Sequence, residues 1–142
     1  MKLSRKCEYA LLALIDIGFN GKSAPVKIGE ICERNDIPKK FLEQILLVLK
    51  GSGYVKSRRG SEGGYMLAKP SSEISLAEVV RLFDGALAPV ESVSSYFFEH
   101  TPIEKSPALL SLFQEIRDYI SSLMEKTSLE DILCRDLEKD CT

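Results

Sequence analysis

The chain has 142 residues, 44% hydrophobic and 28% charged, with four cysteines and a formal net charge of −2. That length suits one domain able to bury about two-thirds of its surface without a metal or disulfide staple. No run of about 18 apolar residues exists, which excludes a membrane-spanning helix. The small net charge conceals a division. Residues 1–69 carry 13 Lys and Arg against 7 Asp and Glu, whereas residues 70–142 carry 6 against 14. A basic half joined to an acidic half suggests that one face meets a polyanion.

The opening MKLSRKCEYALLALIDIG superficially resembles an export signal. Glu8 and Asp16 interrupt it, however, and no small-residue cleavage site follows. It reads as the first helix of a cytoplasmic protein, Leu3 to Gly18, with Ser4 as candidate N-cap and Gly18 and Gly21 as stop signals. Cys7, Ala10, Leu11, Leu14 and Ile15 form one apolar stripe, and Tyr9, Leu12 and Ala13 add a second. A helix apolar all round is buried all round, which suggests a second subunit. After the loop NGKSAP, a second helix over VKIGEICERN turns Val26, Ile31 and Cys32 inward. Asn35 and Asp36 mark a turn, and Pro38 sits where a helix can begin.

The third helix, PKKFLEQILLVLK, shows two faces. Phe41, Leu42, Ile45, Leu46 and Leu49 point to a core, while Lys40, Glu43, Gln44 and Leu47 share the outer side. Two helices joined by a short turn, the second polar outside, read as a helix-turn-helix. Next come YVKSRR, a glycine-rich turn and YMLAK, which read as two short strands. Gly60, Gly63 and Gly64 permit a tight reversal, and Arg58 and Arg59 put two charges at its edge. A hairpin directly after a helix-turn-helix is the order of a winged helix. Arginines there suit phosphates or the minor groove of DNA.

Beyond Pro70, Ser75 and Glu78 form a capping box for the helix SLAEVVRLFDG, with Ile74 as an outside staple. Residues 86–106 show no clear period and read as a long, functional loop. Its aromatic run Tyr96–Phe98 either lines an effector pocket or seals a dimer core. A long helix from Pro107 to Lys126 carries Leu109, Phe113, Ile116, Ile120 and Leu123 at near-heptad spacing. That seam suits a homodimer, or packing on its own domain. Thr127 and Glu130 form a second capping box for the short helix SLEDIL, followed by a frayed, charged tail. The expected fold is mainly α with a small β-hairpin wing. It divides into a winged helix-turn-helix over 1–84, an effector or linker loop over 85–106, and a dimerisation helix and tail over 107–142.

Residues 1–133 resemble the Rrf-two family of bacterial winged-helix transcription regulators. The resemblance is carried by MKLSRKCEYALLAL, FLEQIL, GYVKSRRGSEGGYMLAKP and EISLAEVVRLFDG. It implies that Glu43 reads bases in the major groove, that Arg59 enters the minor groove, and that Lys39, Lys40 and Gln44 lie among phosphate or base contacts. It also implies dimers that cross their long C-terminal helices and bind pseudo-palindromic operators, most often as repressors. Cluster-binding members carry three cysteines in the loop before the long helix. Residues 85–107 here contain none, so an iron–sulfur cluster is not expected. Glu8 and His100, the single histidine, are weak candidates for a metal. Members without loop cysteines sense through a small molecule, a partner enzyme or another thiol. Cys134 and Cys141 could form a redox pair, although the charges around them are mainly acidic. A winged-helix protein-interaction module acting through a partner enzyme is the alternative function. With one histidine, no nucleophile elbow and no phosphate-binding loop, an enzyme is not expected.

Overall fold

The structure, a computed structural model, describes residues 1–140. Eight elements follow in chain order: α1 (Arg5–Asn20), α2 (Ile28–Asn35), α3 (Lys39–Gly51), β1 (Val55–Arg58), β2 (Gly64–Leu67), α4 (Leu76–Asp84), α5 (Pro107–Lys126) and α6 (Leu129–Asp140). No described helix is long and apolar enough to cross a membrane.

Helix α1 runs through the centre of the core. Its N-cap is Ser4, whose side chain accepts a hydrogen bond from the Cys7 amide. The Ser4 backbone N–H and hydroxyl both donate to Asp84 at the end of α4, which pins the start of α1 there. Gly18 does not stop the helix, contrary to the sequence reading. It lies inside α1, and a Cβ there would meet the Leu133 side chain of α6 at 2.8 Å. Gly18 is therefore a point of close helix approach, and α1 ends two residues later with the Gly21 amide donating to Ile17. Cys7 is fully buried, and burial together with nearby Asp84 pushes its thiol up to about 12.

The buried surface of α1 also holds a charge. Asp16 is 6% exposed. Its carboxylate accepts hydrogen bonds from Arg34 Nε and Nη2 at 2.9 and 2.7 Å and from Asn35 Nδ2 at 2.8 Å. Asn20 adds a longer bond at 3.3 Å. Burial alone would raise its pKa, but these donors overcome that and hold the carboxyl below its ordinary range. Arg34 and Asn35 close α2, so this carboxylate ties the end of α2 to α1. The turn follows at Asp36, in the left-handed conformation at φ 52°. Pro38 serves as the N-cap rather than the first helical residue.

Leu42, Ile45, Leu46 and Leu49 of α3 are all buried, at i, i+3, i+4 and i+7. Phe41, expected inside, is 45% exposed. It lies one residue to the side of that stripe and meets Tyr9 edge-on at 6.0 Å between ring centres. The strands pair antiparallel, from Val55 with Leu67 to Arg58 with Gly64. Val26 adds a one-residue third strand through two hydrogen bonds with Tyr65, at 2.9 and 2.8 Å.

The Ser75–Glu78 capping box starts α4 as the sequence suggests. Ile74 behind it is fully buried, and its carbonyl accepts from Leu129 at 2.7 Å. The start of α6 thus lies beside the start of α4. The second capping box falls one residue later than expected. Ser128 and Asp131 form it, while the Thr127 hydroxyl donates back to the Leu123 carbonyl. Leu129 and Leu133 anchor α6 in the main core, which sets that start. The tail expected to fray from Cys134 is instead helical to Asp140. Cys134 is exposed, and Cys141 lies outside the described residues. The segment 86–106 has two short 3₁₀ turns, at Glu91–Val93 and Pro102–Lys105. Leu87, Ser92, Val93 and Ser94 within it are buried.

Asp16→Asn should lower stability by about 1–3 kcal/mol near neutral pH, as expected for hydrogen bonds to a charged group. The folded pKa is depressed, so the contribution is present above the unfolded value of about 3.9 and is lost as pH falls through the folded one. Urea unfolding of both proteins from pH 7 to pH 3 checks this: the difference should shrink below about pH 4. A difference independent of pH would assign the effect to packing.

Candidate nucleic-acid interface

Because its apolar stripe is spent on the core, α3 turns its other side outward. Lys39, Lys40, Glu43 and Gln44 are all exposed there, as is Leu47. Only residues 52–54 separate α3 from β1. The hairpin packs against α3 through β1, with Arg58 closing β1 and Arg59 beginning the turn.

The three glycines of the turn have different surroundings. Gly60 has a φ of 103°, and a Cβ there would meet open space. Gly63 is buried, and a Cβ would lie 2.2 Å from the Arg58 carbonyl oxygen. Gly64 has a φ of 153°, and a Cβ would lie 2.4 Å from the Val26 carbonyl oxygen. Gly63 and Gly64 thus let the protein's own backbone close up, and Gly64 specifically lets Val26 join the sheet.

That pairing brings in a residue the sequence reading missed. Lys27 follows Val26 and precedes α2, and it lines one shallow cleft of about 320 Å³ together with Ile28, Ser57, Arg58, Arg59 and Tyr65. A one-residue strand has no periodicity, so no pattern could place Lys27 beside the wing.

The ion pairs sort the basic residues. Arg34 is held by Asp16, Lys69 lies 3.6 Å from Glu78, and Arg5 lies 3.7 Å from Glu8. Lys69 also sits 4.7 Å over the Tyr54 ring. Among the described residues, ten cations of the basic half enter no salt bridge: Lys2, Lys6, Lys22, Lys27, Lys39, Lys40, Lys50, Lys56, Arg58 and Arg59. Seven of them belong to α3, the hairpin or the start of α2, and Lys2, Lys6 and Lys22 lie elsewhere. Unpaired cations around an exposed polar helix suit a polyanion with hydrogen-bonding edges.

The metal candidates are not brought into a site. Glu8 pairs with Arg5, and His100 Nδ1 lies 3.1 Å from Glu104, with Phe98 edge-on to its ring. No group of three or more His, Cys, Asp or Glu able to hold a metal gathers among the described residues. Of the described thiols, Cys7 is buried in the core, Cys32 lies half-buried on α2 and Cys134 is exposed on α6. Burial raises the pKa of Cys32 as well. This donor set does not fit an iron–sulfur cluster, which needs converging thiolates.

A helix-turn-helix followed directly by a basic hairpin defines a winged-helix DNA-binding protein. The family profile described as "Rrf2: Iron-dependent Transcriptional regulator" matches residues 3–135. The chain belongs to the Rrf2 family of helix-turn-helix transcriptional regulators, and it is a regulator rather than an enzyme. It is 30% identical over 132 residues to the regulator CymR of Bacillus subtilis, covering 93% of this chain and 89% of CymR. It is 32% identical over 133 residues to the regulator IscR of Photorhabdus laumondii, covering 94% and 79%. The solved structure of B. subtilis CymR, described as the global cysteine regulator, superposes with a TM-score of 0.82. That match has 29% identity and covers 95% of this chain and 98% of the other. T. potens IscR superposes at 0.76 with 27% identity, over 100% and 92%.

Gly64→Ala should destabilise the protein by about 1–3 kcal/mol, because both backbone strain and the clash with Val26 oppose it. Gly29→Ala, which meets nothing within 4 Å, should be stabilising by up to about 1 kcal/mol. Urea midpoints of the two variants check the contrast. Equal, small effects would remove the structural role given to Gly64.

Proposed function

We propose that the chain is a sequence-specific repressor that binds a pseudo-palindromic operator as a homodimer, one half-site per subunit. The observation that carries this reading is the exposed face of α3, with its cations outside any salt bridge, followed at once in the chain by a hairpin that bears Arg58 and Arg59. Glu43 and Gln44 present a carboxylate and an amide to base edges; a carboxylate accepts from cytosine N4. Lys39 and Lys40 neutralise phosphates. Arg58 and Arg59 follow the backbone or the minor groove, and Gly60, Gly63 and Gly64 act through the shape of the turn. Lys27 joins them from the start of α2.

The dimer rests on α5. Not one of its 20 residues is buried, and Leu109, Leu112, Ile116 and Leu123 are exposed, with Phe113 and Ile120 half-buried. A helix of that length with an open apolar seam is satisfied by a second copy across a two-fold axis, which also matches a two-fold operator. In this reading residues 1–84 read DNA, 85–106 link and sense, and 107–142 dimerise, with α6 returning to brace α1. The protein works in the cytoplasm without a cofactor of its own. Its signal is a small molecule or a partner enzyme. The likeness to a cysteine regulator makes sulfur-metabolism genes the first operators to inspect.

Selection of bound fragments from a genome at near-physiological salt tests the reading. Enrichment of a few two-fold symmetric sites is expected; weak, sequence-blind binding alone would overturn it. Arg59→Ala should weaken binding to all sequences and reduce the salt slope by about 1 per subunit. Glu43→Ala should relax preference at one position per half-site by about 1–3 kcal/mol. Ile116→Asp should yield monomers in sedimentation and abolish two-site binding, with the circular dichroism of the protomer retained.

A further inference from the structure

The outer side of α3 is polar except at one place. Lys39, Lys40, Glu43, Gln44 and Lys50 are exposed there, and among them stands Leu47, 70% exposed. Its neighbours Leu46 and Leu49 are fully buried. At about 3.6 residues per turn, Leu47 falls roughly 20° from the direction of Lys40 and between the directions of Glu43 and Gln44. It is therefore central to the exposed face rather than at its margin. The other large apolar groups exposed on α3, Phe41 and Val48, lie on the flank of that face, where Phe41 meets Tyr9.

A single exposed leucine is ordinary on a protein surface and calls for no explanation there. Its place on this face changes that. Lys40, Glu43, Gln44 and Leu47 stand at i, i+3, i+4 and i+7. A recognition helix lying in the major groove reads bases with that spacing, as homeodomain helices do. A partner that covers Glu43 and Gln44 also covers Leu47, because Leu47 projects between them. Lysine, glutamate and glutamine can meet a polar edge with a hydrogen bond. Leucine has neither donor nor acceptor, so it discriminates between bases only by apolar contact. The base edges in the major groove offer one apolar group, the 5-methyl of thymine.

We propose that Leu47 is a specificity-determining residue that packs on the 5-methyl group of a thymine, within about two base pairs of the base that Glu43 reads. The proposal rests on the DNA-binding reading above and adds a residue to it. Leu47 lies four residues beyond Glu43, about 6 Å along the helix at about 1.5 Å per residue. A base step is about 3.4 Å, so both residues fall within one half-site. Taking one methyl group out of water favours binding about fourfold. Phosphate contacts from the lysines give no such preference, since every sequence carries the same backbone. Leu47 therefore supplies selectivity at a base pair where the charged side chains around it supply only affinity. Its exposure also makes it separable from the fold. Truncation to alanine removes the contact without opening the core, and alanine is at least as good a helix former.

The test uses the full chain and an operator selected from randomised duplexes. Each thymine of the recovered site is replaced in turn by uracil, which removes the 5-methyl group and keeps the base pairing. Kd is measured for the wild type and for Leu47→Ala. One thymine per half-site is expected at which uracil weakens the wild type about fourfold, and about fifteenfold when both half-sites are changed together. At that position Leu47→Ala should bind the thymine and uracil sites equally well. A recovered operator whose uracil scan is flat overturns the proposal and leaves the DNA-binding reading standing. A uracil penalty undiminished in Leu47→Ala overturns it too, because the methyl group then acts through another contact or through the shape of the DNA. Failure to recover any operator overturns the DNA-binding reading and this proposal with it.

Discussion

Asp16 holds the reading half of the molecule in place. Its carboxylate gathers Arg34 and Asn35 from the last turn of α2 and Asn20 from its own helix, all at a buried point of α1. The residue after Asn35 is Asp36, whose left-handed conformation swings the chain into α3. The exposed face of α3 is therefore referenced to α1 through one charge cluster just before the turn. A buried carboxylate with too few donors would destabilise the fold. With three side chains supplying four hydrogen bonds, it gives directional contacts where apolar packing would allow α2 to slide. The same cluster removes Arg34 from the set of cations offered outside, so one interaction shapes both the core and the charge pattern of the surface.

Much of this was legible in the sequence because it rests on short-range rules. The Ser4 and Ser75 caps, the turn at Asn35–Asp36, the strands of the wing and the bounds of α5 each depend on residues within a few positions of one another. The features that escaped depend on contacts between distant segments. Asp16 looked like an interruption of an apolar stretch, since its partners lie 18 and 19 residues away. Gly18 looked like a stop signal, and only the approach of Leu133 from α6 explains it. The cap of α6 shifted to Ser128 because Leu129 and Leu133 anchor that helix, and local chemistry allowed either start. At the surface, the polar face of α3 followed from helical period alone. The place of Lys27 did not, because the Val26–Tyr65 pairing that carries it is a tertiary contact. The sequence shows that Gly63 and Gly64 permit a tight reversal, but not that the protein's own backbone occupies their Cβ positions.

The division of charge has a structural counterpart. In the basic half, acids neutralise cations away from the reading face: Asp16 takes Arg34, Glu78 takes Lys69 and Glu8 takes Arg5. Of the ten cations of that half outside any salt bridge, seven lie on α3, on the hairpin or at Lys27. In the acidic half, Arg81 and Arg117 are largely covered while their partners Glu125 and Asp118 are exposed. An acidic surface repels a polyanion, so the proposed reading puts DNA against the basic half.

Helix α4 connects the two halves at both of its ends. Its first residue donates to the Thr127 carbonyl just before α6, and its last, Asp84, accepts from Ser4 at the start of α1. Arg81, one turn earlier, reaches across to Ser121 and Glu125 of α5. Side-chain hydrogen bonds therefore join α5 to α4 at Arg81, α4 to α1 at Asp84 and Ser4, and α1 to the end of α2 at Asp16. Each step in that chain is a hydrogen bond involving a charged carboxylate or guanidinium, and such bonds are stronger and more directional than the apolar contacts around them.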